Sequence, residues 1–198
     1  LLSTDGVCKV FDEDANGYVR SEACVCLLLQ KSKNVKRMYA QIINVKGNCD
    51  GFTNEGITYP SSEMQEKLMT ETYRESNISP SSLSYIEAHC TGTKVGDPEE
   101  VKAIDEALAK KCDQQLLIGS IKSNIGHTEP TSGLCSIMKV LIAMETGFVP
   151  PNINLRRVRK GLVGIEQNRM KVVTDTTELL EEDAIVGVNN FGFGGSNI

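Results

Sequence analysis

The sequence predicts an α/β fold whose sheet is covered by helices on both faces. Two observations lead there. Apolar runs of strand length recur at 83–89, 116–121 and 184–188, and segments with helical periodicity separate them at 61–74, 97–110 and 132–145. A third narrows the class: no apolar run approaches the roughly 20 residues that cross a bilayer. At 198 residues the chain can bury one substantial core.

Taken in order, residues 23–29 and 38–45 read as strands, and alternation in the first sends Cys24 and Cys26 to one face. The helix at 61–74 opens on a capping box placed at Ser62 and Gln65, and Met64, Leu68 and Tyr73 recur at near-helical spacing. A strand at 83–89 follows. The helix at 97–110 has Asp97 as N-cap, Pro98 at its first position, and Glu99 and Glu100 at the positive end of the dipole. Its apolar face is Val101, Ile104, Ala107 and Leu108. After the strand at 116–121, the helix at 132–145 carries a broad stripe of Leu134, Ile137, Met138, Leu141 and Ile142. The strand at 184–188 precedes a glycine-rich turn at 192–195.

A net charge of −5 and a pI near 5.2 argue against nucleic-acid and anionic-membrane partners. The basic group Arg156, Arg157, Arg159 and Lys160 reads as a solvated loop. The first residues lack the basic then apolar pattern of a secretory signal. Seven cysteines without a CxxC pair give no zinc pattern and read as buried, reduced thiols of a cytoplasmic protein. The start at Leu1 and the end straight after a glycine-rich turn both read as cut points. Asp12, Asp14, Asn16 and Gly17 imitate a calcium loop, but its twelfth position is Ala23, with Glu22 one residue early, so no metal is expected.

Three loops at strand ends hold the unusual chemistry. EAHCTGT at 87–93 places a histidine among small hydroxyl residues before a helix, which suits either a solvent-facing turn or a pocket in which Thr91 and Thr93 meet an amide-rich ligand. KSNIGH at 122–127 brings a lysine and a histidine within one turn, where an ammonium would lower the imidazole's pKa. Both of the chain's histidines, His89 and His127, sit on such loops. NNFGFGGSN at 189–197 lacks the GxGxxG spacing of a dinucleotide site. It suits either a plain tight turn or a set of backbone N–H groups arranged as an oxyanion hole.

Together these loops resemble the EAHGTGT, KSNIGH and NSFGFGGSN motifs of the β-ketoacyl synthase family in the thiolase superfamily, in the same order and at comparable spacing. The stretches 11–20, 48–51, 95–98 and 127–130 make the chain similar to the condensing domain of a cytosolic animal-type fatty acid synthase. The resemblance implies a thiolase-like αβαβα layered fold, incomplete here. Residues 1–31 would close the N-terminal half, and residues 38–198 would form most of the C-terminal half with its glycine-rich loop.

The activity implied is a decarboxylative Claisen condensation of acyl and malonyl thioesters on acyl carrier protein. His89 and His127 would donate hydrogen bonds to the malonyl thioester oxygen, and Lys122 would position and tune His127. Phe193 would lend its N–H to the oxyanion hole and its ring to gate the acyl pocket, and Thr91 and Thr93 would line the phosphopantetheine channel. The condensation itself would need no cofactor, with NADPH confined to other domains of a full synthase. The implied partners are the carrier domain and a second copy in a homodimer, in the cytoplasm. None of the seven cysteines stands in the family's nucleophile motif, which is expected upstream of Leu1, so the chain alone is expected to be inactive. Cys90 replaces a glycine and would strain the backbone, and Asn190 replaces a serine. The remaining alternatives are the condensing domain of an iterative polyketide synthase and a short non-catalytic binding or dimerisation product.

Overall fold

The computed structural model describes residues 1–179 and 183–198. At its centre is a four-stranded sheet in the order β5-β3-β2-β7, parallel throughout. β2 is Leu83–Glu87, β3 Leu116–Gly119, β5 Met170–Val172 and β7 Ile185–Val188. Two-stranded antiparallel pairs stand beside it. β1 (Asn48–Cys49) pairs with β8 (Ser196–Asn197), and β4 (Phe148–Val149) pairs with β6 (Thr177–Glu178). The helices are α1 (Ser62–Glu75), α2 (Gly96–Ala107), α3 (Lys122–Ile125), α4 (Ser132–Thr146) and α5 (Val163–Glu166).

Strand alternation divides the core in two. Ile86, Leu116, Ile118, Met170 and Val172 face one side, where Met69 of α1 and Val101, Ile104 and Ala107 of α2 cover them. Tyr85, Leu117 and Val186 face the other, where Ala143 of α4 packs with Val149 and Val173. Helices therefore cover both faces, as the alternation of segments predicts.

The structure corrects several expectations. Residues 23–29 and 38–45 run without ladder hydrogen bonds, and Leu28, Leu29, Met38, Ile42 and Ile43 are exposed. A strand needs a neighbour, and among the described residues nothing lies alongside these segments to complete a sheet. Cys24 and Cys26 are consequently exposed rather than buried; Cys49, in β1, is exposed as well, whereas Cys8, Cys90 and Cys135 are buried. The cap of α1 lies one residue earlier than read: the Ser61 hydroxyl accepts from Met64 N–H at 3.3 Å.

Asp97 does not cap its own helix. Its carboxylate reaches out to the N–H groups of Phe11, Thr91 and Gly92. In α4 the apolar stripe is not buried as a whole: Leu134 and Ile142 are exposed, while Ile137, Met138 and Leu141 are half-buried. The buried face includes Cys135, Ser136, Lys139, Val140 and Ala143, and from it Lys139 reaches an ion pair with the fully buried Glu87 at 2.7 Å.

Candidate active site

β2, β3 and β7 are adjacent and parallel, so their carboxyl ends lie side by side, where α/β sheets commonly carry ligands. The three loops leave the sheet there: His89 follows β2, Lys122 and His127 follow β3, and Asn189 and Asn190 follow β7. Residues distant in sequence thus meet. The rings of His89 and His127 lie 5.4 Å apart, centre to centre, at 81°. Phe191 stands 6.4 Å from His89, and Tyr18 stands 5.0 Å from His127.

The loop after β2 is held by two buried carboxylates near the N-terminus of α2. Asp97 takes the Thr91 and Gly92 N–H groups, while Glu100 takes those of His89 and Cys90, both at 2.8 Å. Glu100 also accepts from the Cys90 thiol and from the Asn189 amide, which ties the β2 loop to the β7 loop. Burial pushes both carboxyl groups above their ordinary range, and the donated N–H bonds oppose that rise. Gly92 sits at φ +81°, where an added Cβ would lie 2.9 Å from the Lys9 backbone nitrogen, so the loop can approach that segment only as glycine.

The loop after β3 folds back at Gly126 (φ +79°), which packs on Val19. His127 is pinned by backbone bonds on both sides: its N–H donates to Val19 at 2.8 Å, and its carbonyl accepts from Ser21 at 3.0 Å. Behind the imidazoles lies Lys122. It is 1% exposed, and its Nζ has no hydrogen-bond partner among the described residues. Burial pushes this ammonium's pKa down, while Glu87 and Glu100 pull it up. Glu87 meanwhile receives the Ile121 N–H and the Tyr85 hydroxyl besides Lys139, so it fixes the start of the same loop.

Electrostatics keep both imidazoles neutral at pH 7. Burial is the main cause of the fall in His127's pKa to about 4; Lys122 adds to it and Glu129 opposes. His89 is held well below the ordinary histidine range by burial, then Lys122, then His127. Sequence reasoning named the lysine, but burial is the larger cause at both rings. The Nδ1 of His127 accepts from Glu129 N–H at 3.0 Å, so the proton of the neutral ring is on Nε2, where it is available as a donor.

The other predicted residues are less engaged with this centre. Thr91 is buried, and its hydroxyl donates to that of Thr93, 3.4 Å away, which in turn accepts from Gly96 N–H. Phe193 sits at the tip of the glycine-rich turn, 63% exposed, and its N–H meets no acceptor among the described residues. Cys90 has no left-handed backbone, contrary to the expected strain. Its thiol is buried against Glu100 and pushed well above the ordinary range, the opposite of an activated nucleophile. Asp12, the first residue of the calcium-like stretch, spends its carboxylate on the N–H groups of Asp14, Arg156 and Arg157. Among the described residues no group of three His, Cys, Asp or Glu is placed to hold a metal ion.

Sequence reasoning missed Glu100 and Asn189 as supports of the histidine loop. Glu100 was visible near the N-terminus of α2, but the dipole accounted for it without a partner.

Comparison with known proteins places these observations in a family. The family model described as "Beta-ketoacyl synthase, C-terminal domain" matches residues 39–156, and "Beta-ketoacyl synthase, N-terminal domain" matches residues 1–34. The chain is 49% identical over 148 residues to the fatty acid synthase of the goose Anser anser anser, across 75% of this chain and 42% of that protein. It is 40% identical over 202 residues to the highly reducing polyketide synthase gloL of Glarea lozoyensis, across all of this chain and 8% of that protein. In structure it is similar to a ketosynthase from module 6 of the bacillaene synthase of Bacillus subtilis 168. The TM-score is 0.94 at 37% identity, covering 100% of this chain and 37% of that one. The fold is therefore that of ketosynthases, thiolase-like and partial, and the chain spans less than half the length of each of these relatives.

Proposed function

The chain belongs to the β-ketoacyl synthase family, a family of condensing transferases, and on that premise we propose that its protein catalyses decarboxylative Claisen condensation as part of an animal-type fatty acid synthase. The carrying observation is the pair of neutral imidazoles 5.4 Å apart with a buried, unpaired lysine behind them.

A malonyl thioester loses carbon dioxide when the electron pair of the breaking C–C bond moves into an enolate, and negative charge builds on the thioester oxygen. A fixed donor at that oxygen stabilises the charge without reorganising. His127 supplies Nε2–H for this purpose, with the His89 ring beside it, 5.4 Å away centre to centre. Lys122 adds positive potential and keeps a second proton off the rings. The enolate carbon then attacks the acyl thioester carbonyl, and the thiolate of the acyl-bearing cysteine departs. The Phe193 N–H would hold the oxyanion of that step and its ring would gate the acyl pocket; the unbonded N–H at an exposed tip suits this role.

The thioesters arrive on the phosphopantetheine of an acyl carrier protein, with Thr91 and Thr93 along its path. We assign residues 1–31 to the N-terminal half and 38–198 to the C-terminal half of the condensing unit, working as a homodimer in the cytoplasm. No described helix is long and apolar enough to cross a membrane. The acyl-bearing cysteine is none of the seven here, with Cys90 the least suited; residues 1–198 alone would not turn over.

The iterative polyketide synthase remains the second reading, because highly reducing polyketide synthases match the whole length of the chain at 40% identity. Mass analysis of carrier-bound products from the intact protein, given acyl and malonyl carriers, tests both. A β-ketoacyl product two carbons longer supports condensation, and its absence sinks it. Full reduction at every cycle marks the fatty acid reading, while retained keto or hydroxyl groups mark the polyketide one.

A further inference from the structure

We infer that Asn190 is a positioning residue that fixes which ring nitrogen of His89 carries the proton. Asn190 follows β7, where its backbone N–H and carbonyl both bond Ile198 and close the glycine-rich turn. Its amide lies against Gly133 of α4, where an added Cβ would come within 3.1 Å of Nδ2. Thus placed, its Oδ1 stands 3.0 Å from His89 Nδ1 and accepts the Ser132 hydroxyl at 3.1 Å. An amide oxygen has lone pairs and no proton, so the ring must donate. His89 then carries its proton on Nδ1 and presents a bare Nε2.

His127 is arranged in the opposite sense. Its Nδ1 accepts from Glu129 N–H, so its proton is on Nε2. The two neighbouring rings offer one acceptor and one donor, not the two donors that resemblance to the family implies. Asn190 stands where the family's motif has serine. A serine hydroxyl donates or accepts and dictates neither tautomer, whereas an amide oxygen steadied by Ser132 dictates one. The consequence rests on the decarboxylation reading above: His127 alone donates to the oxygen that gains charge, and His89 faces a group that brings its own proton, such as a water.

The test is two-bond proton–nitrogen correlation NMR of the intact protein labelled with ¹⁵N-histidine at neutral pH. The His89 signals are identified by their loss in His89→Ala. The expected pattern is a protonated Nδ1 and bare Nε2 at His89, with the reverse at His127. Asn190→Asp keeps an acceptor and retains the pattern. Asn190→Leu and Asn190→Ser release His89 to a proton on Nε2 or to a mixture, while the unchanged His127 signals report an intact site. A proton on Nε2 of His89 in the parent protein overturns the inference without need of any variant. So does an Nδ1–H that persists in Asn190→Leu. The readout requires no turnover, so a protein with this tautomer that forms no condensation product sinks the proposed function instead.

Discussion

Replacing Lys122 with methionine tests how the site keeps its imidazoles neutral. Methionine fills the space of the buried stem and removes the charge. No acceptor is stranded, because Nζ has no hydrogen-bond partner among the described residues. Glu87 keeps Lys139 and Tyr85, and Glu100 keeps the His89, Cys90 and Asn189 donors. The effect is read at His127, whose pKa falls from 6.5 to about 4, chiefly through burial and secondarily through Lys122. Removing the lesser cause recovers only part of that fall, so His127 of the variant titrates above the parent's and still below 6.5. The assay is a pH titration of the ¹³C-labelled His127 ring followed by NMR. The parent should stay neutral down to about pH 5, and the variant should begin to titrate at a higher pH than the parent. A parent ring that titrates near 6.5, or a variant ring that titrates lower than the parent, refutes the reasoning.

Three further outcomes follow from the same structure. An unfolded His127 takes a proton near pH 6.5 and the folded one waits until about 4, so the unfolded state binds more protons between those values. Its contribution to stability is full above about 6.5 and is lost as pH falls toward 4, which denaturant titrations across that range measure. Glu87→Gln leaves the ammonium of Lys139 buried without its carboxylate and should cost about 3–5 kcal/mol in urea unfolding, with part of the loss recovered by adding Lys139→Met. In thiol labelling, Cys90 should stay unmodified in the native protein and react only on unfolding, because its thiol is buried and its pKa is raised well above the ordinary range.

The central architecture was legible because the strands 83–89, 116–121 and 184–188 are apolar on both faces, which is how a parallel sheet under two helical layers reads. The loops were legible because histidine, lysine and glycine are uncommon company at strand ends. What the sequence concealed depends on partners. The segments 23–29 and 38–45 have strand composition, yet no described strand lies beside them, so they form no ladder and are largely exposed. The stripe of α4 was read only in part: Ile137, Met138 and Leu141 are half-buried, but the buried face also holds Lys139, whose partner Glu87 lies on β2 and is not visible from the helix's own sequence. Glu100 and Asn189 escaped notice because their role is a contact between α2 and the loop after β7, which no local pattern encodes. Asn190 was visible as a departure from the motif, but only the fold brings its amide to His89.

The most direct test of the account is release of labelled carbon dioxide from a carboxyl-labelled malonyl thioester on carrier, by the intact protein and by its His89→Ala and His127→Ala variants. The account predicts release by the parent and a fall on the order of 100- to 1,000-fold in His127→Ala, the usual loss when a donor to a developing oxyanion is removed. Undiminished release in His127→Ala would contradict it.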